Sequence, residues 1–179
     1  MAYSADGVSW TAVSNSTFGI WGINGIAYGG NRFVAVGESG KMAYSADGIT
    51  WTAVSDSTFG SSYIYGITYE GGRFVAVGRS GYIAYSADGA SWTAVPDSKF
   101  GSTEIRAIAY GNNRFVAVGA DGKMAYSADG ASWTAVPDST IQYTDDSGRL
   151  QTFSIRGIAY GGGRFVIVGD SGKMAYANW

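Results

Sequence analysis

A unit of 41 residues recurs along this chain, and a period of that length leaves few folds open. Residues 1–41, 42–82, 83–123 and 124–173 align, the fourth carrying nine extra residues around Ile141 to Phe153, and 174–179 begins a further copy. The first two units agree at 29 of 41 positions, so each unit must fold alike and pack on its neighbours. Helical repeats would show an apolar period of about 3.6 residues; short alternating segments between Gly-rich turns appear instead. Four short strands per unit of about forty residues is the pattern of a β-propeller blade. The composition agrees, with 46% apolar residues, 28 Gly and only 2 Pro. That mixture excludes disorder and suits many strands joined by tight turns.

The most regular part of each unit is Tyr3-Ser4-Ala5-Asp6-Gly7-Val8-Ser9-Trp10-Thr11-Ala12-Val13, repeated from Tyr44, Tyr85 and Tyr126. Two short apolar segments flank Asp-Gly, which predicts an antiparallel hairpin. Ser4, Ser45, Ser86 and Ser127, with Asp6, Asp47, Asp88 and Asp129, are placed to accept backbone N–H groups of their own turn. Trp10, Trp51, Trp92 and Trp133 are large enough to close over it. A turn-capping role leaves these carboxylates no lone pairs for chemistry, so they are read as structural. Arg32, Arg73, Arg114 and Arg164 recur at the start of one strand and are expected to pack on an aromatic ring or bond loop carbonyls.

The heptad Ser4-Ala5-Asp6-Gly7-Val8-Ser9-Trp10 resembles the Asp-box (BNR-like) hairpin of sialidase-like β-propellers, Ser-x-Asp-x-Gly-x-Thr-Trp, shortened by one residue. The resemblance covers nearly the whole scaffold and implies that the hairpin joins the third and fourth strands of a blade. It does not extend to catalysis. Sialidases of that family use six blades, an arginine triad and a tyrosine nucleophile activated by glutamate, whereas this chain offers four blades, no Phe-Arg-Ile-Pro motif and no matching arginine set.

The expected fold is therefore all-β, a single propeller domain over 1–179 with four four-stranded blades. Blade order from the inside outward is exemplified by Ile26 to Tyr28, Phe33 to Val36, Met42 to Tyr44 and Thr50 to Val54. The third-strand slot has five claimants, since Met1 to Ser4 and Met174 to Ala177 both fit it. The simplest closure pairs the N-terminal Ser9 to Val13 strand with the last blade, keeping Met174 to Ala177 in place and leaving no open edge. The alternative is two chains sharing one eight-bladed ring.

Twelve basic against 14 acidic residues give a net charge of −2, which lacks the basic excess a phosphate backbone requires, so nucleic acid is not an expected partner. Without Cys or His there is no disulfide, thiol or imidazole, and no cofactor or metal site is expected. The adjacent Asp145 and Asp146 lack the alternating ligand series of a calcium loop. No apolar run approaches the roughly 20 residues of a membrane span, and Met1 opens no secretory leader, so no membrane insertion or signal peptide is expected and the compartment is left open.

Residues that differ between units are the candidate ligand contacts. They fall in the loop joining one blade to the next (Trp21, Asn24, Tyr63, Tyr65, Glu104, Arg106, Arg156, with the Gln142 to Gln151 insert) and in the turn after the second strand (Glu38, Arg79, Asp170). In a propeller these two loop sets share one face around the central axis. Aromatic surfaces beside polar groups there suit sugars or peptides. The sequence thus predicts a non-catalytic binding module, carbohydrate first among ligands, acting as monomer or homodimer. The competing readings are a scaffold with no evolved ligand, recently amplified, reconstructed or engineered, and a glycosidase-like enzyme.

Overall fold

The computed structural model describes residues 1–136, 142–144, 147 and 149–178, and among them the expected repeats appear as successive antiparallel sheets. A hairpin of β1 (Ala2–Tyr3) and β2 (Thr11–Ala12) precedes a first blade of β3 (Ile23–Gly29), β4 (Arg32–Gly37), β5 (Met42–Ser45) and β6 (Thr52–Ala53). The second blade comprises β7 (Ile64–Glu70), β8 (Arg73–Gly78), β9 (Ile83–Ser86) and β10 (Thr93–Ala94). The third comprises β11 (Ile105–Gly111), β12 (Arg114–Gly119), β13 (Met124–Ser127) and β14 (Thr134–Ala135). The insert forms its own hairpin of β15 (Gln142–Thr144) and β16 (Leu150–Thr152), and the last blade has β17 (Ile155–Gly161), β18 (Arg164–Gly169) and β19 (Met174–Asn178). Asp145 and Asp146 lie outside the described residues. Among the described residues no helix is long and apolar enough to cross a membrane.

The closing pair expected between the N-terminal strand and the last blade is not formed in this structure. β2 bonds to β1, with Ala12 opposite Ala2 and Thr11 opposite Tyr3, while the last sheet stops at three strands. β19 fills the third-strand slot, in the register Val168 to Met174 that repeats Val36 to Met42.

Each hairpin turn is held by its own side chains. Ser45 Oγ accepts the N–H of Gly48 at 2.9 Å and donates to Asp47 Oδ1 at 2.8 Å, while that oxygen accepts the N–H groups of Ile49 and Thr50, both at 2.8 Å. Gly48 takes φ +74°, a left-handed value that favours glycine, and Trp51 Nε1 donates to its carbonyl at 3.1 Å. The same bonds recur at Ser4, Ser86 and Ser127. Backbone N–H donation from Ser9 and Thr50 is the largest cause holding Asp6 and Asp47 down to about 2, and the same kind of donation, from Ser91 and Ser132, lowers Asp88 and Asp129.

Blades then lock to one another through residues that every unit shares. Trp92 sits in a cluster with Val34, Val36 and Met42 of the blade before it and Phe74, Ala76 and Ala84 of its own. Trp133 repeats this one junction later. Arg32 lies 4.7 Å over the Tyr44 ring and donates from Nη1 to the Asp88 carbonyl of the next turn at 2.6 Å, uniting the two roles expected of it; Arg73 does the same with Tyr85 and Asp129. Gly29, at the end of β3, serves as a socket: a Cβ there would fall 1.8 Å from the Tyr69 ring of the next blade. The positive φ of the turn belongs to Gly30 and Asn31.

Trp92→Ala should cost about 3–5 kcal/mol in denaturant unfolding, as a buried aromatic shared by two blades, and Asp88→Ala should cost less. Because Asp6 and Asp47 titrate below their ordinary 3.8 when folded, their contribution is complete above that value and disappears as pH falls toward about 2, and Asp88 and Asp129 are shifted in the same direction. A melting temperature flat above that window and falling steadily within it is the expected profile.

Candidate functional site

The variable loops do share a face. In each blade the turn after the second strand donates a backbone N–H to the loop that enters the first: Glu38 to the Gly22 carbonyl at 2.9 Å, Arg79 to Tyr63 at 2.8 Å, Ala120 to Glu104 at 3.0 Å and Asp170 to Ser154 at 3.1 Å. These bonds carry the backbone of both loops to the inner strands β3, β7, β11 and β17, which neighbour one another in turn.

On each inner strand the pairing shifts register at one residue, between Ile23 and Gly25, Ile64 and Gly66, Ile105 and Ala107, and Ile155 and Gly157. The extra residues at these bulges are Asn24, Tyr65, Arg106 and Arg156. A bulge adds one residue outside the ladder and re-aims its side chain. It is here that the expected contacts converge. Tyr65, Arg106 and Arg156, with Glu104 beside the third bulge, line a cavity of about 330 Å³.

Its electrostatics are mixed. Glu104 Oε2 lies 3.6 Å from Arg106 Nη2, and Tyr65 donates to Glu104 Oε1 at 3.4 Å. Arg156 Nε bonds to Asp170, with both side chains partly exposed. Burial, and then the Glu104 charge, raise the Tyr65 phenol, against the opposing field of Arg79. The Nη1 atom of Arg106 is buried and has no hydrogen-bond partner among the described residues. A buried donor left open costs about 1–3 kcal/mol, more when charged, and an acceptor placed against it recovers that energy.

Not every variable residue joins this cavity. Asn24 spends its amide on a bond to the Ile64 carbonyl at 2.9 Å, tying the first blade to the second. Glu38 accepts the Gly22 N–H at 3.2 Å within its own blade. Tyr63 meets Tyr65 edge to face, with ring centroids 6.4 Å apart, and does not itself line the cavity. Trp21 remains exposed on the first blade. Among the described residues no group of three His, Cys, Asp or Glu side chains gathers as a metal site.

All four lining residues were among the sequence candidates; what the sequence did not show was the bulge that carries three of them, Tyr65, Arg106 and Arg156. Its signal is present as an exchanged residue inside an otherwise repeated Ile-x-Gly/Ala-Ile stretch, Ile64-Tyr65-Gly66-Ile67 for example.

No family model matches the sequence, and no curated protein matches it. Among solved structures, the chain is similar to YCF48 from Cyanidioschyzon merolae (19% identity, TM-score 0.66, covering 88% of this chain and 53% of that one). A structure of YCF48 bound to D1 peptide aligns with 17% identity and TM-score 0.60, covering 88% of this chain and 49% of that one. The computationally designed Ika4 protein aligns over 88% of this chain and 91% of its own (14% identity, TM-score 0.61). The GH74 enzyme of Niastella koreensis aligns over 87% of this chain and 22% of its own (24% identity, TM-score 0.55). The chain thus spans about half the length of YCF48. These likenesses establish a β-propeller fold, shared by designed repeats, a peptide-bound protein and an enzyme, and fold alone does not assign chemistry.

Proposed function

We propose that this protein is a non-catalytic binding module whose axial cavity takes a carboxylate group presented by a peptide. The observation that carries the reading is Arg106, which lines the cavity and whose buried Nη1 lacks an acceptor among the described residues while its Nη2 is already held by Glu104. A carboxylate oxygen is the acceptor that a guanidinium matches best. The cationic side chains Arg79, Arg106 and Arg156 outnumber Glu104 and Asp170 around the cavity, and this favours an anionic group. Peptide is preferred to glycan as the source because a likeness of this fold is bound to peptide.

Catalysis fits these residues poorly. A nucleophilic phenol needs its proton removed easily, and Tyr65 is shifted the other way. Glu104 is engaged by both Tyr65 and Arg106, and the sequence holds no imidazole or thiol to replace it.

Titration calorimetry with short peptides bearing a free C-terminal carboxylate should show binding that is lost when the terminus is amidated. Arg106→Ala should weaken it by about 10- to 100-fold, the value of a charged hydrogen bond of about 1.5–3 kcal/mol. Binding of a uronate oligosaccharide but of no peptide would replace the peptide with an acidic glycan. Silence from every carboxylate probe would refute the site and leave the scaffold reading.

A further inference from the structure

Three junctions in this molecule are built alike, and the two ends of the chain carry the two halves of one more. At the C-terminal end, Val116, Met124 and Val136 of the third blade face Phe165, Ile167 and Ala175 of the fourth across an almost wholly apolar cavity of about 160 Å³. Their counterparts in the first junction are Val34, Met42 and Val54 on one side and Phe74, Ala76 and Ala84 on the other, and those six surround Trp92. The cavity is the seat of a blade tryptophan, narrowed by Ile167 where other blades have alanine, and no tryptophan among the described residues lines it. β19 cannot supply one through the usual turn, since Ala177 stands in the column of Ser45.

The N-terminal end carries what is missing. Trp10 follows an intact turn on the β1–β2 hairpin, yet it is 64% exposed, whereas Trp51, Trp92 and Trp133 are 5–9% exposed. The hairpin rests on its own first blade, with Val13 against the Phe18, Ala35, Ala43 and Trp51 cluster, the place that the outer half of a preceding blade takes. Between hairpin and blade runs a groove of about 750 Å³, lined in part by Tyr3, Trp10, Ile26 and Phe33. It lies where the two inner strands of that preceding blade would sit.

Two further features match. Tyr28 is 57% exposed, while its counterparts Tyr69 and Tyr160 fill the sockets at Gly29 and Gly111; the socket at Gly161 has nothing within 4 Å among the described residues. Arg164 holds the position from which Arg32 and Arg73 reach the next turn, and Asp47 sits in a turn that lines the groove beside the hairpin.

We infer that a second copy of this chain completes the junction: its β1–β2 hairpin takes the edge of β18 in place of β19, Trp10 enters the cavity, Tyr28 enters the Gly161 socket and Arg164 bonds the Asp47 carbonyl. The chain does not serve itself in this geometry. The hairpin already marks the site of the blade before the first, and three further blade-to-blade steps leave the last blade in a separate sheet from it. Two copies close the circle at eight blades, within the usual range of about 4–8; three would exceed it.

Light scattering coupled to size exclusion should give twice 18.7 kDa at micromolar concentration. Trp10→Ala removes a side chain exposed in the free chain, so it should leave the circular-dichroism spectrum intact while raising the dimer dissociation constant by about 30-fold or more, as for an interface hot spot. Gly161→Val should do the same, because its socket is open until the second copy arrives. A species of 18.7 kDa at every concentration overturns the inference, including one in which Trp10→Ala lowers the melting temperature, which would mean that the chain closes on itself. Open-ended polymers, or a dimer indifferent to both substitutions, overturn it equally.

Discussion

The tryptophan after each turn is buried only where something from outside its blade covers it, and the architecture follows from that dependence. Trp92 and Trp133 need the second and third strands of the blade before them, Trp51 needs Val13 of the hairpin, and Trp10 has no cover and stands in solvent. A single unit of about forty residues buries too little apolar area to fold alone, so its stability resides in the junction. The arginine bridge works in the same direction: Arg32 spans from one blade to the turn of the next, so the cation that stacks on Tyr44 also holds the neighbour in place.

The parts of this structure legible in the sequence are those whose causes act over a few residues. Ser45, Asp47, Gly48 and Trp51 form their bonds within seven positions, so the turn, the strands beside it and the number of units could be read directly. The reason for Gly29 could not be read locally, since it lies in Tyr69, forty residues away, which needs space where a Cβ would stand. Ring closure was beyond the sequence for a different reason. β1 and β19 present the same Met-Ala-Tyr pattern to the edge of β18, and equal local patterns give equal pairing preference, so geometry between blades must decide.

The candidate site was half legible. Residues repeated in every unit proved to be committed, the turn carboxylates to backbone N–H groups and the strand arginines to rings and carbonyls, which leaves the exceptions as the candidate site. Variation alone did not suffice: Asn24 varies and yet binds one blade to the next. Tyr65, Arg106 and Arg156 stand, like Asn24, at the shifted register of the inner strand, a feature of hydrogen-bond pairing that alternation of apolar and polar residues does not reveal, and what sets them apart from Asn24 is that its amide is spent on the Ile64 carbonyl.

That shifted register has an evolutionary consequence. The residue at the bulge has no partner in the ladder, so its replacement leaves that pairing intact. A duplicated gene would begin with one letter repeated around the axis and could then spell a different one in each blade, as Asn, Tyr, Arg and Arg do here. Such a fold can change what it recognises by single substitutions at the hub while every spoke keeps its inherited frame.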